Sequence, residues 1–249
     1  MPLTSHLEEL RKRLIACVLA YFGGIAICYA FSGQLFELLK RPLSEILAQH
    51  PGSTFALRSI AEGFMVDLKV ALISGAFVAS PVFFFQIWKF VSPGLYEHEK
   101  RLALPIILSA TGLFLTGAFF GYFIIFPTTF SFFMSYASAD TSAVLSINEY
   151  LDFAAKLLAG FGLVFELPLV IFILAWLGIV NHHQLRKVRR YVIVVNFVIA
   201  ALITPPDVIS QLGVAIPLVL LYELGILIAW MVGRKRRTDE EVAGDAPKS

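Results

Sequence analysis

Charge is what this chain has least of. Of its 249 residues only 15% are Asp, Glu, Lys or Arg, whereas 58% are apolar; a water-soluble domain carries about 25% charged residues. That scarcity excludes an ordinary soluble enzyme, a disordered chain and a nucleic-acid binder. The net charge, +2, is too small to imply an acidic partner, so the placement of charges matters more than their sum. Cysteine is nearly absent. Cys17 and Cys28 share one apolar run, and about 1.5 Å of rise per residue separates them by roughly 16 Å, too far to pair within one helix. No disulfide framework or metal site follows. Catalytic signatures are missing too: there is no H-E-x-x-H, Walker A, G-x-S-x-G or glycine-rich dinucleotide loop. None of the five histidines falls within an apolar run. Without a phosphate-binding loop the chain cannot itself use ATP, so any energy must come from a partner or the membrane potential. No catalytic residue, metal or cofactor is expected.

What the chain has in abundance is uncharged apolar sequence, and a helical membrane span needs about 20 such residues. Runs occupy Leu14–Phe31, Val70–Trp88 and Leu102–Phe126, and Leu157–Val180 is interrupted only by Glu166. The last apolar stretch, 191–232, is broken by Thr204-Pro205-Pro206-Asp207. Two adjacent prolines and an acid cannot continue a helix, which leaves two short spans, Tyr191–Ile203 and Leu212–Val232. The fold class is therefore all-α: a six-span membrane domain over residues 1–237, solvated by membrane lipid, with a disordered polar tail at 238–249.

Basic residues orient those spans. The N-terminus carries Arg11, Lys12 and Arg13, and the loop after span two carries Lys89, Lys100 and Arg101. After span four come Arg186, Lys187, Arg189 and Arg190, and the tail adds Arg234, Lys235, Arg236, Arg237 and Lys248. These fifteen share one side, against Lys40, Arg41 and Arg58 on the other. Both termini are expected in the cytoplasm. The first span resembles a secretory signal, but its long, acid-containing lead and its place in the topology mark it as an uncleaved anchor.

Local signals fill in the loops. Ser-x-x-Glu capping boxes at Ser5-Glu8, Ser59-Glu62 and Ser146-Glu149 predict helix starts. Leu35, Phe36, Leu39, Leu43, Ile46 and Leu47 follow helical spacing, and the Phe-rich segment 127–139 is expected to form a second short helix on the outer face. Gly117-x-x-x-Gly121 reads as a close-packing motif.

Two acids sit at bilayer depth, Glu166 in span four and Glu223 in span six, where a carboxylate costs about 2.5–3.5 kcal/mol. Each is either a neutral Glu hydrogen-bonded between helices or part of a polar face open to water or substrate. Three segments stand out further: Ser5-His6-Leu7-Glu8-Glu9-Leu10-Arg11-Lys12-Arg13, Phe90-Val91-Ser92-Pro93-Gly94-Leu95-Tyr96-Glu97-His98-Glu99-Lys100, and Thr204-Pro205-Pro206-Asp207-Val208-Ile209-Ser210-Gln211. Singly they suggest an interfacial helix, a capped loop and a Pro-Pro turn.

Together, in that order on a six-span frame, they resemble the TatC family, the receptor subunit of the twin-arginine protein translocase. Phe165-Glu166-Leu167-Pro168 and Pro42 match the same pattern, and Ala201 stands where some members carry Met. The resemblance implies a receptor that binds the twin-arginine signal peptides of folded precursors at the cytoplasmic face of a prokaryotic inner membrane. It implies transport driven by the proton-motive force, with single-span TatA- and TatB-type subunits, in a larger complex of several copies. Glu9 and Glu99 would grip the two guanidiniums, each a planar fork matched to a carboxylate. Phe90, Leu95 and Tyr96 would line the same site, and Pro42, Phe64, Thr204, Asp207 and Gln211 would touch partner subunits. The rival reading is a proton-coupled transporter of a small solute, which would favour an inverted repeat and a closed cavity; the sequence displays neither.

Overall fold

The backbone of α1 (Leu3–Ala30) meets that of α3 (Ile60–Val91) at two glycines. A Cβ on Gly24 would lie 2.7 Å from the Gly75 carbonyl oxygen, and one on Gly75 would lie 2.8 Å from Ile25 N. Only hydrogen fits at that crossing. In lipid, where apolar burial gives helices little reason to associate, such close approach supplies the dispersion contact that holds them. Tyr21 reinforces it by donating its hydroxyl to Leu72 O at 3.1 Å.

The computed structural model describes residues 3–48, 54–56, 59–91, 103–135, 144–204 and 207–244. The chain forms two compact units, Met1–Gly162 and Leu163–Ser249. In the first, α1 leads into the short α2 (Ser32–Leu47), as the apolar spacing predicts. A strand β1 (Thr54–Ala56) and α3 follow, then α4 (Ala103–Phe120). A π-helical turn, Gly121–Ile125, runs without a break into α5 (Phe126–Met134). The expectation of a separate short helix over 127–139 is corrected here. Phe126 N–H reaches back five residues to Gly121 O, and this wider turn carries the helix past Pro127. Strand β2 (Val144–Ser146) pairs in parallel with β1 and leads into α6 (Ile147–Phe165). Phe126, Phe130, Tyr150 and Phe153 cluster between α5 and α6 with ring centroids 5.1–5.6 Å apart. Of the Gly117-x-x-x-Gly121 motif, Gly117 is buried and Gly121 packs closely: a Cβ there would come 2.9 Å from the Leu157 side chain.

Prolines inside helices are repaired by side chains. Pro81 in α3 has no N–H for Phe77 O, and the buried Ser80 hydroxyl donates to that oxygen at 2.7 Å. Pro42 in α2 likewise leaves Leu38 O without its helical donor, and Tyr122 donates there at 2.5 Å. Tyr150 donates to the adjacent Leu39 O. Two tyrosines thus bind α2, one at the carbonyl that its proline leaves open and one at the carbonyl beside it.

The second unit holds α7 (Leu167–Trp176), α8 (His182–Ile203) and α9 (Val208–Gly244). Ile171 and Ala175 of α7 bury against Tyr222, Ile226 and Ala229 of α9, and Gly225 admits the Ile171 side chain. Five stretches among the described residues are long and apolar enough to cross a bilayer: Leu7–Ala30, Glu62–Val91, Ala103–Met134, Ile147–Trp176 and Val208–Gly233. The sixth is α8. Its uncharged part is short, as expected, but the helix is 22 residues long because it begins among basic residues at His182. At about 1.5 Å per residue that is roughly 33 Å, enough to cross if Arg189 and Arg190 snorkel. Helix α9 continues to Gly244, into the expected tail.

Ser59 and Ser146 immediately precede α3 and α6, where the capping boxes placed the helix starts. Helix α1 begins at Leu3, ahead of the box at Ser5. Asn181-x-x-Gln184 at α8 forms a capping box that closes both hydrogen bonds, each 3.0 Å.

Gly75→Ala is expected to force α1 from α3 and lower the thermal midpoint of the purified protein in detergent by several degrees. Gly112→Ala, with nothing within 4 Å of the new methyl, should leave the midpoint unchanged or raise it.

Candidate functional site

The glycine crossing fixes the antiparallel register of α1 against α3. Glu9 lies 15 residues before Gly24, and Phe90 lies 15 residues after Gly75, so both stand about 22 Å from the crossing in the same direction. Two of the sequence-predicted signal-peptide residues are therefore brought to one level at one end of the first unit. Glu9 accepts a hydrogen bond from Arg13 Nη2 at 3.0 Å, an i,i+4 ion pair on α1. Its side chain is 26% exposed, neither free in solvent nor sealed. Phe90 occupies the last turn of α3, half-buried. Leu95, Tyr96 and Glu99 lie outside the described residues.

Pro42 and Phe64 lie elsewhere. Phe64 comes 11 residues before Gly75, so it points to the opposite end of the unit from Phe90, and it is exposed. Pro42 is buried in α2, with the structural role already described. That end also holds a polar cluster that sequence reasoning missed. Glu62 is 5% exposed and accepts from Asn148 Nδ2 at 2.6 Å and from Ser146 Oγ at 3.4 Å, while Lys69 pairs with Asp152 at 2.6 Å. No single-sequence signal marks such pairs, whose members are more than 80 residues apart.

In the second unit, Thr204, Asp207 and Gln211 come together around the turn between α8 and α9. Thr204 is buried and donates its hydroxyl to Ala200 O at 2.9 Å. Asp207 caps α9 by accepting Ser210 N–H at 3.0 Å. Gln211 Nε2 reaches across to Phe197 O at 3.2 Å. Glu166 is buried at the break between α6 and α7, where Pro168 cannot extend the preceding helix.

Glu223 is joined to a second helix. Arg189 on α8 pairs with its carboxylate at 2.5 Å, which places it at the basic end of α8. Next to it Tyr222 donates to Leu185 O at 2.9 Å, so the two neighbours clamp α9 to one stretch of α8. The signal was present: four basic residues open α8, and the acid one helix later is the counter-ion. Asn196, buried in mid-helix, was also passed over. Among the described residues no three His, Cys, Asp or Glu side chains gather as a metal site.

The chain is thus a multi-span helical protein with paired charges at its helix ends and a helix broken at a buried acid. The comparisons define the family. The model of the family TatC, Sec-independent protein translocase protein, matches residues 5–217, and the chain belongs to it. It is 46% identical over 244 residues to the Sec-independent protein translocase protein TatC of Desulforapulum autotrophicum, covering 98% of this chain and 90% of that protein. It is 38% identical over 240 residues to TatC of Escherichia coli strain K12, covering 96% and 92%. The crystal structure of the twin-arginine translocase receptor TatC superposes with a TM-score of 0.82 at 38% identity, over 92% of this chain and 99% of that one.

The Arg189–Glu223 pair yields a test. Arg189→Ala should lower the midpoint of thermal unfolding by stranding the carboxylate, and adding Glu223→Leu should restore part of the loss. Because Arg189 is about half exposed, the coupling measured by the double-mutant cycle is expected to stay below about 1 kcal/mol.

Proposed function

We propose that this chain is the receptor of a twin-arginine translocase and that signal peptides dock where the N-terminal part of α1 meets the last turn of α3. The supporting observation is the shared level of Glu9 and Phe90, set by the Gly24–Gly75 register. In this reading Glu9 and Glu99 each take one guanidinium, and Phe90, Leu95 and Tyr96 shelter the apolar residue that follows the arginine pair. Two carboxylates on separate segments suit two adjacent arginines, whereas two lysines offer only point charges.

The basic residues put both chain ends on the cytoplasmic side of an inner membrane, so the docking face looks into the cytoplasm. Transport of the folded cargo then draws on the proton-motive force and on single-span TatA- and TatB-type subunits, in a complex with further copies of this chain. The turn carrying Thr204, Asp207 and Gln211, together with Pro42 and Phe64 on the outer side, is where those subunits make contact. Glu166 supplies the polar face within the membrane.

Crosslinking of a twin-arginine precursor to membranes containing the full chain tests the docking site. Glu9→Ala and Glu99→Ala should each weaken capture by at least about tenfold, since a charge-assisted hydrogen bond contributes about 1.5–3 kcal/mol. Wild-type capture by both variants would exclude the assignment. Orientation has its own measurement. Val208→Cys, on an exposed position of α9, should react with an impermeant maleimide in intact cells, and Ser92→Cys only after lysis.

A further inference from the structure

The α1–α3 register aligns a second pair of residues beside the first. Counting 11 residues outward from Gly24 and Gly75 reaches Arg13 and Gln86, and counting 15 reaches Glu9 and Phe90. On each helix the two positions are four apart and share a face. Arg13 spends a single N–H on Glu9, through Nη2. Its Nε–H is shielded from solvent and has no acceptor among the described residues. Gln86 Oε1 is shielded in the same way and has no donor among the described residues. A buried donor and a buried acceptor thus stand at one height on adjoining helices, each unpaired, an arrangement that native interiors rarely leave standing.

We infer that Arg13 is a built-in competitor for Glu9 and that Gln86 is the alternative partner which receives Arg13 when a signal peptide displaces it. The inference rests on the proposed reading in which Glu9 grips a guanidinium. With the site empty, the Arg13 guanidinium stays on the carboxylate, because an ionised acceptor holds it more strongly than a neutral amide does. An incoming arginine can present a two-pronged fork to that carboxylate, whereas Arg13 presents one N–H. Once displaced, Arg13 does not go unpaired, since the Gln86 amide oxygen lies at its level and faces no other donor among the described residues. The resident cation therefore sets an affinity threshold. Every cationic peptide must exceed it, and Gln86 determines how high it stands.

Peptide titrations of the full-length protein in lipid nanodiscs test this, using a synthetic peptide with two adjacent arginines ahead of an apolar stretch, and its two-lysine counterpart. Arg13→Met should tighten binding of both peptides by about two- to fivefold, the range of a partly exposed ion pair. Gln86→Leu should weaken binding by a similar factor. The double variant should match Arg13→Met alone, because without Arg13 the amide has nothing to receive; Gln86→Met is read in the same way if Gln86→Leu does not accumulate. Additive effects of the two changes, or weaker binding by Arg13→Met, would overturn the competitor. Glu9→Gln separates the two levels of argument. Unchanged affinity in that variant removes the carboxylate reading and the competitor with it, while lost affinity together with additive effects removes the competitor alone.

Discussion

The contact on which the first unit depends is the approach of two backbones at Gly24 and Gly75. Lipid tails are as apolar as leucine, so helices in a bilayer gain little from hiding side chains from their surroundings. They gain from density, and density at this crossing requires two residues without side chains. Everything placed along α1 and α3 inherits its height from that point. Glu9 comes level with Phe90, Arg13 with Gln86, and Phe64 goes to the far end. A register set at one level thus governs chemistry about 22 Å away.

The second constraint is that no backbone oxygen within hydrocarbon can turn to water. Proline breaks the helical ladder, and the chain answers three of these breaks in three ways. Beside Pro81 a serine on the same helix fills the gap. At Pro42 the donor comes from another helix, through Tyr122, so a local defect becomes a tertiary contact. At Pro127 the ladder itself widens by one residue. Prolines that a sequence scan reads as helix breakers act here as attachment points and as a change of pitch.

These repairs mark what could be read from the sequence and what could not. Apolar run length and the Thr204-Pro205-Pro206-Asp207 interruption located all six spans, because bilayer thickness acts on any helix regardless of its neighbours. The ends were harder. Helix α8 reaches back to His182 because Asn181 and Gln184 cap it, a box with amide side chains rather than Ser and Glu. The continuation through Pro127 depended on a π turn, which has no compositional signature. Glu62 with Asn148, and Arg189 with Glu223, join residues that only the folded chain brings together. Of the candidate site, Glu9 and Phe90 were named from their segments, but their common level needed the glycine crossing. Arg13 was counted only as one more basic residue.

The parallel pairing of β1 with β2 has a consequence for when the protein becomes itself. Thr54–Ala56 must wait for Val144–Ser146, Glu62 for Asn148, and the carbonyl of Leu39 for Tyr150. At a synthesis rate of roughly 5–20 residues per second, the 86 residues between Glu62 and Asn148 take about 4–17 s to emerge. Once α3 has emerged, the glycine crossing and Tyr21 join it to α1, while the end with α2 and Glu62 still lacks Asn148 and Tyr150. The polar groups at that end are closed together, late, by β2 and the first turn of α6. The membrane-inserted half is thus assembled in two stages, a dry crossing first and a polar lock afterwards, and the second stage begins only when the chain is more than half made.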